Sequence, residues 1–285
     1  MTGFVPLPDG GRLAFATAGE GAPLLLLRPL GGSVASWEPF ATLLARRLQV
    51  VTFDPRGAGC SSPAPWPTTT RTMARDAVAV LDHLGIGRVA VYGLSLGGMV
   101  ATWLALEHPD RVGRLVLAST PVRGWRDALG GWRRGVALAA CLARPPRAAE
   151  ACLAAAVLSK AFRSAHPGEV ARIRERACAR PASHRGLLTL LGAAIAHDAR
   201  DRIGALGSRT LVIAGANDEI LSPEGQGETA RLVPDARFAT IPGAGHDVSA
   251  EAPSAVAALV LDHVLGAPAS RYAVDAATPG ASFHR

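Results

Sequence analysis

The fold of this chain is decided by residues 92–98, which read YGLSLGG. They stand between a short β-branched run at 88–92 and a helical pattern at 96–107, so they are predicted to form a strand-to-helix turn. A serine thrust out of such a tight turn needs small neighbours two residues to either side, and glycines occupy both positions. The turn would hold the hydroxyl of Ser95 clear of the backbone and aim the N–H of Leu96 at an oxyanion. Ser95 is therefore predicted to be a nucleophile.

Short apolar runs alternate with helical patterns on both sides of this turn. Such alternation is typical of a mainly parallel sheet covered by helices, which predicts the α/β class. The four leucines at 24–27 are apolar on both faces, as a buried parallel strand requires. The predicted strands are Leu13–Thr17, Leu24–Leu27, Gln49–Phe53, Arg88–Tyr92, Val112–Ala118, Thr210–Ala214 and Arg237–Ile241.

The pattern changes between residues 121 and 206, where no convincing strand occurs. We interpret 121–206 as a helical cap inserted into a core that comprises 1–120 and 207–265. Residues 266–285 are rich in Ala, Pro, Ser and Gly without periodicity, so a flexible tail is expected there. The helices predicted for the cap, separated by prolines, are Arg133–Ala143, Ala148–Arg163, Glu169–Ala179 and His184–Ala196.

The formal charge of +7 rests on 29 Arg and one Lys, balanced by 23 acidic residues. No block of five like charges occurs and aromatic residues make up only 5%, so a nucleic-acid partner is not predicted. Residues 121–206 contain 15 of the 30 basic residues but only 6 of the 23 acidic ones. This excess indicates a solvated, Arg-rich cap, with a carboxylate-bearing substrate as the alternative hypothesis.

The remaining bulk features indicate a cytoplasmic protein, and the partner expected for it is a small-molecule substrate. The longest aliphatic runs fall far short of the about 20 residues that span a bilayer, and no secretory signal is visible, so no membrane partner is predicted. Four cysteines without a Cys-x-x-Cys pair are expected to be reduced thiols. No ligand cluster or phosphate-binding loop is visible, so neither a metal nor an organic cofactor is predicted. The oligomeric state cannot be predicted from the sequence.

A nucleophilic serine needs a base, and the base needs a group that orients it. Of the eight histidines, His246 follows the last predicted core strand in a glycine-rich loop, PGAGHD at 242–247. Asp218 comes directly after the strand at 210–214 and is the predicted orienting carboxylate. Glu219 is its nearest rival, and Asp247 is expected to be solvated or structural.

The order Ser95, Asp218, His246, each at the carboxyl end of a strand, is the order found in α/β-hydrolases. With the turn DPRGAGCS at 54–61, it makes the chain resemble that family from Leu13 to Leu265. The nearest branch is the lid-bearing esterases and lactonases, including 3-oxoadipate enol-lactonases. The resemblance implies a Ser-His-Asp triad that hydrolyses an ester or lactone of a small, partly hydrophobic compound.

Other reactions use the same triad within this fold. Hydrolysis of a carbon–carbon bond, cofactor-free perhydrolysis and a biosynthetic cyclisation are therefore alternatives. A ligand receptor on a hydrolase scaffold is a further alternative, from a different class of function. A complete triad argues against the receptor.

One departure from the family pattern lies after the strand at 24–27, where relatives usually carry His-Gly and this chain carries Arg28-Pro29. Proline removes its own N–H but leaves that of Leu30, so the oxyanion hole is predicted from the backbone of Leu30 and Leu96. Arg28 is interpreted either as a buried ion-pair partner or as a contact to an anionic substrate.

Two further positions are open between binding and structure. Trp125 and Trp132 begin the cap, where they could line the substrate pocket or pack the cap onto the core. Asp54 and Arg56 are expected to brace the loops around the serine turn rather than to act in catalysis.

Overall fold

A sheet of nine strands runs through the structure, a computed structural model that describes residues 1–124, 132–266 and 282–284, with side chains described for 1–124 and 137–266. The strands are β1 (Thr2–Pro6), β2 (Arg12–Ala18), β3 (Ala22–Leu27), β4 (Leu48–Phe53), β5 (Val89–Leu94), β6 (Val112–Ala118), β7 (Arg209–Gly215), β8 (Arg237–Ile241) and β9 (Ser282–His284). They lie in the order β1-β2-β4-β3-β5-β6-β7-β8-β9. The strands from β3 to β8 are parallel to one another, and β1, β2 and β9 pair antiparallel. The predicted α/β class is confirmed.

Helices cover both faces of this sheet. They are α1 (Phe40–Ala45), α2 (Thr70–His83), α3 (Leu96–Glu107), α4 (Trp132–Leu142), α5 (Pro146–Ala156), α6 (Lys160–Ala165), α7 (Pro167–Ala177), α8 (His184–Ile195), α9 (Pro223–Leu232), α10 (Val248–Glu251) and α11 (Pro253–Leu265), with short 3₁₀ turns at Val34–Trp37 and Ile203–Ala205. None of the helices in the described ranges is both long enough and apolar enough to cross a membrane.

The leucines of β3 show how the two faces are filled. Leu25 and Leu27 belong to the core cluster that contains residues of α2 and α3, whereas Leu24 and Leu26 belong to the one that contains residues of α1 and α11. Successive strand residues point to opposite faces, so an unbroken apolar run supplies both cores at once.

Strand β5 lies in the middle of the sheet and every one of its residues is buried. It extends two residues beyond the predicted end at Tyr92, because Gly93 pairs with Leu27 and Leu117 of its neighbours and Leu94 pairs with Ala118. The serine turn therefore emerges at the centre of the carboxyl edge, with parallel strands on both sides.

Helices α4–α8 lie between β6 and β7 and are called the cap helices below. Their bounds follow the predicted stretches within a few residues, except that the helix predicted for 148–163 is interrupted between Ala156 and Lys160. The hydroxyl of Ser159 accepts a hydrogen bond from the N–H of Phe162 at 3.1 Å and starts α6 as its N-cap residue. The division of the chain into core and cap stays a prediction.

One expectation differs from the structure. Cys141 of α4 and Cys152 of α5 form a disulfide, so the prediction of four reduced thiols is wrong. The bond is possible because the two helices pack together and bring the Cα atoms of these cysteines to 5.4 Å. Cys60 and Cys178 are free thiols. Strand β9 lies within the stretch expected to be a flexible tail; it pairs with β8 and forms the edge of the described sheet on that side.

Candidate active site

Ser95 occupies a strained turn between β5 and α3. Its φ of 54° is positive, which is uncommon for a residue that carries a side chain. A Cβ at Gly93 would lie 2.5 Å from the carbonyl oxygen of Gly97, and a Cβ at Gly97 would overlap the carbonyl of Leu27 in β3. The two glycines are therefore required by close backbone contacts, as the sequence pattern predicts.

The three residues singled out by chain order lie within hydrogen-bond distance of one another. His246 Nε2 is 2.9 Å from Ser95 Oγ, and His246 Nδ1 is 2.8 Å from Asp218 Oδ2. All three side chains are buried. Because an ionised carboxylate only accepts hydrogen bonds, Nδ1 carries the proton and Nε2 is left to accept from the serine hydroxyl.

The carboxylate of Asp218 is fixed by several donors. Its Oδ1 accepts the N–H groups of Ile220 at 2.8 Å and Leu221 at 2.9 Å, and Gln226 Nε2 lies 3.3 Å from Oδ2. Gln226 is fully buried on α9 and was not identified from the sequence, because nothing in its local pattern marks it. The rival Glu219 is exposed and forms an ion pair with the cap residue Lys160.

The loop of His246 is held by the cap. The backbone N–H groups of His246 and Asp247 both donate to the carbonyl of Val157, at 3.0 and 3.2 Å. The N–H and hydroxyl of Ser159 donate to the carboxylate of Glu251, at 2.7 and 2.6 Å. The interruption between α5 and α6 thus supplies the contacts that position this loop.

Burial and nearby carboxylates act in opposite directions on the pKa of His246. Burial by itself lowers the pKa of His246, but the carboxylate of Asp218, with smaller contributions from Asp247 and Glu251, outweighs it and the net shift is upward. A histidine base with a raised pKa holds its proton firmly once it has received it from the serine.

Asp247 is half-buried and structural. Its Oδ1 accepts the N–H of Ala250 at 3.0 Å and the hydroxyl of Ser249 at 2.9 Å, which makes it the N-cap residue of α10. Burial raises the pKa of this carboxyl group, opposed by those hydrogen bonds and by the charges of His246 and Arg28.

Leu96 is the first residue of α3, so its N–H has no acceptor within the helix. Leu30 follows Pro29 in the loop after β3 and lines the same cavity as His246. Asp54 connects the loop after β3 to the turn after β4, because its carboxylate accepts the N–H groups of Val34 and Cys60, at 2.8 and 2.9 Å.

Arg56 connects its own turn to α2 and to the turn between β1 and β2. Its guanidinium forms an ion pair with Asp76 of α2 at 2.6 Å and a second one with Asp9 in the turn between β1 and β2. The expectation of a bracing role for this arginine agrees with these contacts.

Arg28 is buried and holds its own loop. Its Nη2 donates to the carbonyl of Gly31 at 2.6 Å and its Nη1 to the carbonyl of Ser33. Burial lowers the pKa of Arg28, and the carboxylates of Asp54, Glu150 and Asp247 oppose that shift from a distance. Within the described chain Arg28 shares no direct ion pair, so the prediction of a buried ion-pair partner is replaced by one of carbonyl anchoring.

A cavity of about 50 Å³ lies beside His246, under the cap helices. Its walls are mainly apolar, and the charged side chains among them are Arg28, Glu150 and Asp247. Glu150 was not identified from the sequence. Of the two predicted pocket residues, Trp125 lies outside the described residues, and for Trp132 only the backbone is described. Across the described ranges, no three His, Cys, Asp or Glu side chains converge in a way that could hold a metal ion.

Residues 22–253 match the family model of the α/β hydrolase fold, and the chain belongs to that family. It is therefore an enzyme of the α/β-hydrolase fold. One relative, named "Putative carbamate hydrolase RutD" from Azorhizobium caulinodans, is 32% identical over 256 residues, which is 87% of this chain and 94% of its own. The 3-oxoadipate enol-lactonase 2 of Acinetobacter baylyi is 30% identical over 113 residues, 39% of this chain and 42% of its own.

Solved structures agree with this assignment. A hydrolase from Pseudomonas aeruginosa superposes with a TM-score of 0.81 at 31% identity, covering 93% of this chain and 98% of its own. The enol-lactonase of Burkholderia xenovorans superposes with a TM-score of 0.80 at 25% identity, covering 92% and 100%. The resemblance to α/β-hydrolases, among them enol-lactonases, that the motifs indicate is confirmed.

Proposed function

We propose that this hydrolase cleaves an ester or lactone bond through a triad of Ser95, His246 and Asp218. The observation that carries the proposal is the unbroken line of hydrogen bonds from Ser95 Oγ through both ring nitrogens of His246 to Asp218 Oδ2. The members come from loops after β5, β7 and β8, so the rigid sheet sets their spacing.

In the first half of the proposed reaction, Nε2 of His246 takes the proton of the Ser95 hydroxyl while Oγ attacks the substrate carbonyl. The carbonyl electrons move onto oxygen, and the N–H groups of Leu30 and Leu96 donate to that oxyanion. When the intermediate collapses, the C–O bond to the alcohol breaks and His246 returns its proton to the leaving oxygen. Asp218 stabilises the imidazolium throughout.

In the second half, water replaces the alcohol. His246 takes a proton from the water, whose oxygen attacks the acyl carbon bound to Ser95. Collapse of this intermediate breaks the bond to Oγ, returns the proton to the serine and releases the acid. For a lactone the alcohol and the acid are parts of one product.

The cavity favours a small and neutral substrate group. The volume of about 50 Å³ fits a group of a few heavy atoms, and Leu30, Leu94 and Leu153 supply apolar wall. Two carboxylates, Glu150 and Asp247, line the same space as Arg28, so an anionic group would face them as well. The carboxylate-bearing substrate indicated by the charge of the cap is therefore the less favoured form of the proposal.

The test is a panel of aryl esters, lactones and aryl carbamates, the last included because of the RutD relatives. Turnover should appear on esters or lactones, vanish in Ser95→Ala, and be retained in Ser164→Ala, a matched change at an exposed serine of α6. Incubation with a fluorophosphonate and mass spectrometry should place the label on Ser95.

Undiminished turnover by Ser95→Ala would refute the triad. Labelling of Ser95 with turnover of carbamates alone would retain the triad and replace the ester or lactone. A folded protein that labels Ser95 but is silent on the whole panel would favour the alternatives that use the same triad in carbon–carbon cleavage, perhydrolysis or cyclisation.

A further inference from the structure

Glu150 is a carboxylate on the cavity wall with one oxygen that lacks a partner. It lies on α5 and only 1% of its surface is exposed. Its Oε1 accepts the N–H of Ala182 at 2.9 Å, and the N–H of Gly32 also faces the carboxyl group. Oε2 nevertheless has no partner within hydrogen-bond distance among the described residues. Buried polar atoms in native proteins are nearly always paired, so an unpaired carboxylate oxygen indicates a missing donor.

Arg28 lines the same cavity and has an unpaired hydrogen-bond donor, where Glu150 has an unpaired acceptor. Its two Nη atoms are used by backbone carbonyls of its own loop, whereas the buried Nε–H has no acceptor among the described residues. An unpaired guanidinium N–H indicates a missing acceptor.

Both side chains lie against the turn formed by Gly31 and Gly32. A Cβ at Gly31 would lie 3.9 Å from Oε1 of Glu150, and a Cβ at Gly32 would overlap Nη2 of Arg28. Both residues line the cavity that His246 also lines. The residue that carries an unpaired acceptor and the residue that carries an unpaired donor therefore both border one small space next to the proposed base.

We infer that Arg28 and Glu150 form a subsite for a neutral carboxamide-like group of the substrate, an N–H beside a C=O as in an amide, a carbamate or a ureide. The Nε–H of Arg28 donates to the carbonyl oxygen, and Oε2 of Glu150 accepts the N–H. This subsite rests on the proposed hydrolytic function and names the kind of group that sits next to the cleaved bond.

Other classes of small polar group satisfy only half of the pair. A carboxylate brings acceptors for Arg28 but places its charge against Glu150, and an ammonium brings donors for Glu150 but nothing for the Nε–H. A ketone or ester group accepts from Arg28 and leaves Oε2 unpaired. A site with buried unpaired groups discriminates against ligands that leave them so.

The test uses two 4-nitrophenyl esters of the same shape. In one the acyl chain is succinamic acid, which ends in a carboxamide, and in the other it is 4-oxopentanoic acid, in which a methyl group replaces the NH₂. A second pair of esters, with one more methylene between the carboxyl carbon and the carboxamide or ketone, samples a longer span from Ser95 to the subsite. Initial rates are measured at pH 8, above the pKa of about 7 that burial gives Glu150, and are corrected for spontaneous release. The ratio of kcat/KM for the carboxamide ester to that for the ketone ester should be about tenfold or more in the wild type.

Glu150→Gln should remove this preference. The N–H of Ala182 holds the oxygen that remains, so the new amide NH₂ takes the place of Oε2 and presents donors where an acceptor was. The ratio of kcat/KM should then fall to about one or invert. Glu175→Gln, at an exposed glutamate of the cap helix α7, is the matched control and should keep the wild-type ratio.

Each outcome has a distinct meaning. Equal rates on both esters in the wild type would overturn the subsite, since ordered water alone would then satisfy both atoms. A preference that survives in Glu150→Gln would overturn it as well. If that variant fails to fold, the wild-type ratio still decides. Failure of fluorophosphonate to label Ser95 in the wild type would refute the proposed function itself, whereas labelling without a preference refutes only the subsite.

Discussion

Glu150 is also expected to make the stability of the protein depend on pH. Burial raises its pKa from 4.5 to about 7, while the N–H groups of Ala182 and Gly32 and the charge of Arg28 act against that shift; Asp54 adds to it. The unfolded chain releases this proton near pH 4.5, and the folded chain keeps it until about pH 7. Between these values the folded state binds more protons.

The sign and size of the effect follow from this difference. The stabilisation is fully present below pH 4.5 and is lost as the pH rises through about 7. One pKa unit corresponds to about 1.4 kcal/mol, so the full shift lowers the free energy of unfolding by about 3 kcal/mol between pH 4.5 and pH 8. Glu150→Gln carries no titrating group there, and its stability should lack this component.

The assay is urea unfolding of the wild type and Glu150→Gln at pH 4.5 and pH 8, with the free energies compared within each pH. The free energy of unfolding of Glu150→Gln, relative to that of the wild type, should be about 3 kcal/mol higher at pH 8 than at pH 4.5. Glu175→Gln, at an exposed position, should follow the wild type. A difference between wild type and Glu150→Gln that stays the same at both pH values would refute the reasoning, because Glu150 would then titrate as in the unfolded chain.

Three further outcomes are expected. Gly97→Ala should lower the free energy of unfolding, measured in urea, by about 3 kcal/mol, because the new methyl group overlaps a carbonyl of β3. Gly87→Ala, where a methyl group meets no neighbouring atom, should leave this free energy nearly unchanged, and equal effects of the two substitutions would contradict the close approach at Gly97. Glu251→Gln should move the acidic limb of the kcat/KM profile to lower pH, since this carboxylate raises the pKa of His246; an unmoved limb in a variant that still folds would contradict that. Reduction of the disulfide between α4 and α5 should lower Tm in a thermal scan, and an unchanged Tm would show that the bond adds no stability.

The local parts of the site could be predicted from the sequence. Ser95 is marked by its glycine neighbours, and Asp218 and His246 are marked by their places after strands. In a parallel sheet all such places meet at one edge, so chain order alone predicts that they lie together. The structure places them within hydrogen-bond distance.

The long-range parts could not be predicted. Glu150 and Gln226 lie on helices whose local pattern does not distinguish them from other helical positions, and their partners are distant in the chain. The helix interruption at 157–159 arises from contacts with the loop of His246 and with Glu251, about 90 residues further along. The capping of α6 by Ser159 is local, but the bonds that fix residues 157–159 to the loop of His246 and to Glu251 come from distant parts of the chain.

The contacts of residues 157–159 also limit how this enzyme could be rebuilt. A chimera that took the whole segment from α4 to α8 from a relative would also replace Val157, whose carbonyl accepts two backbone N–H groups of the loop of His246. Ser159 and its bonds to Glu251 would be lost in the same exchange. A transplanted cap must therefore place a backbone carbonyl and a hydroxyl at the same points, or residues 157–159 of this chain must be kept. Otherwise the exchange changes the position of His246 as well as the pocket.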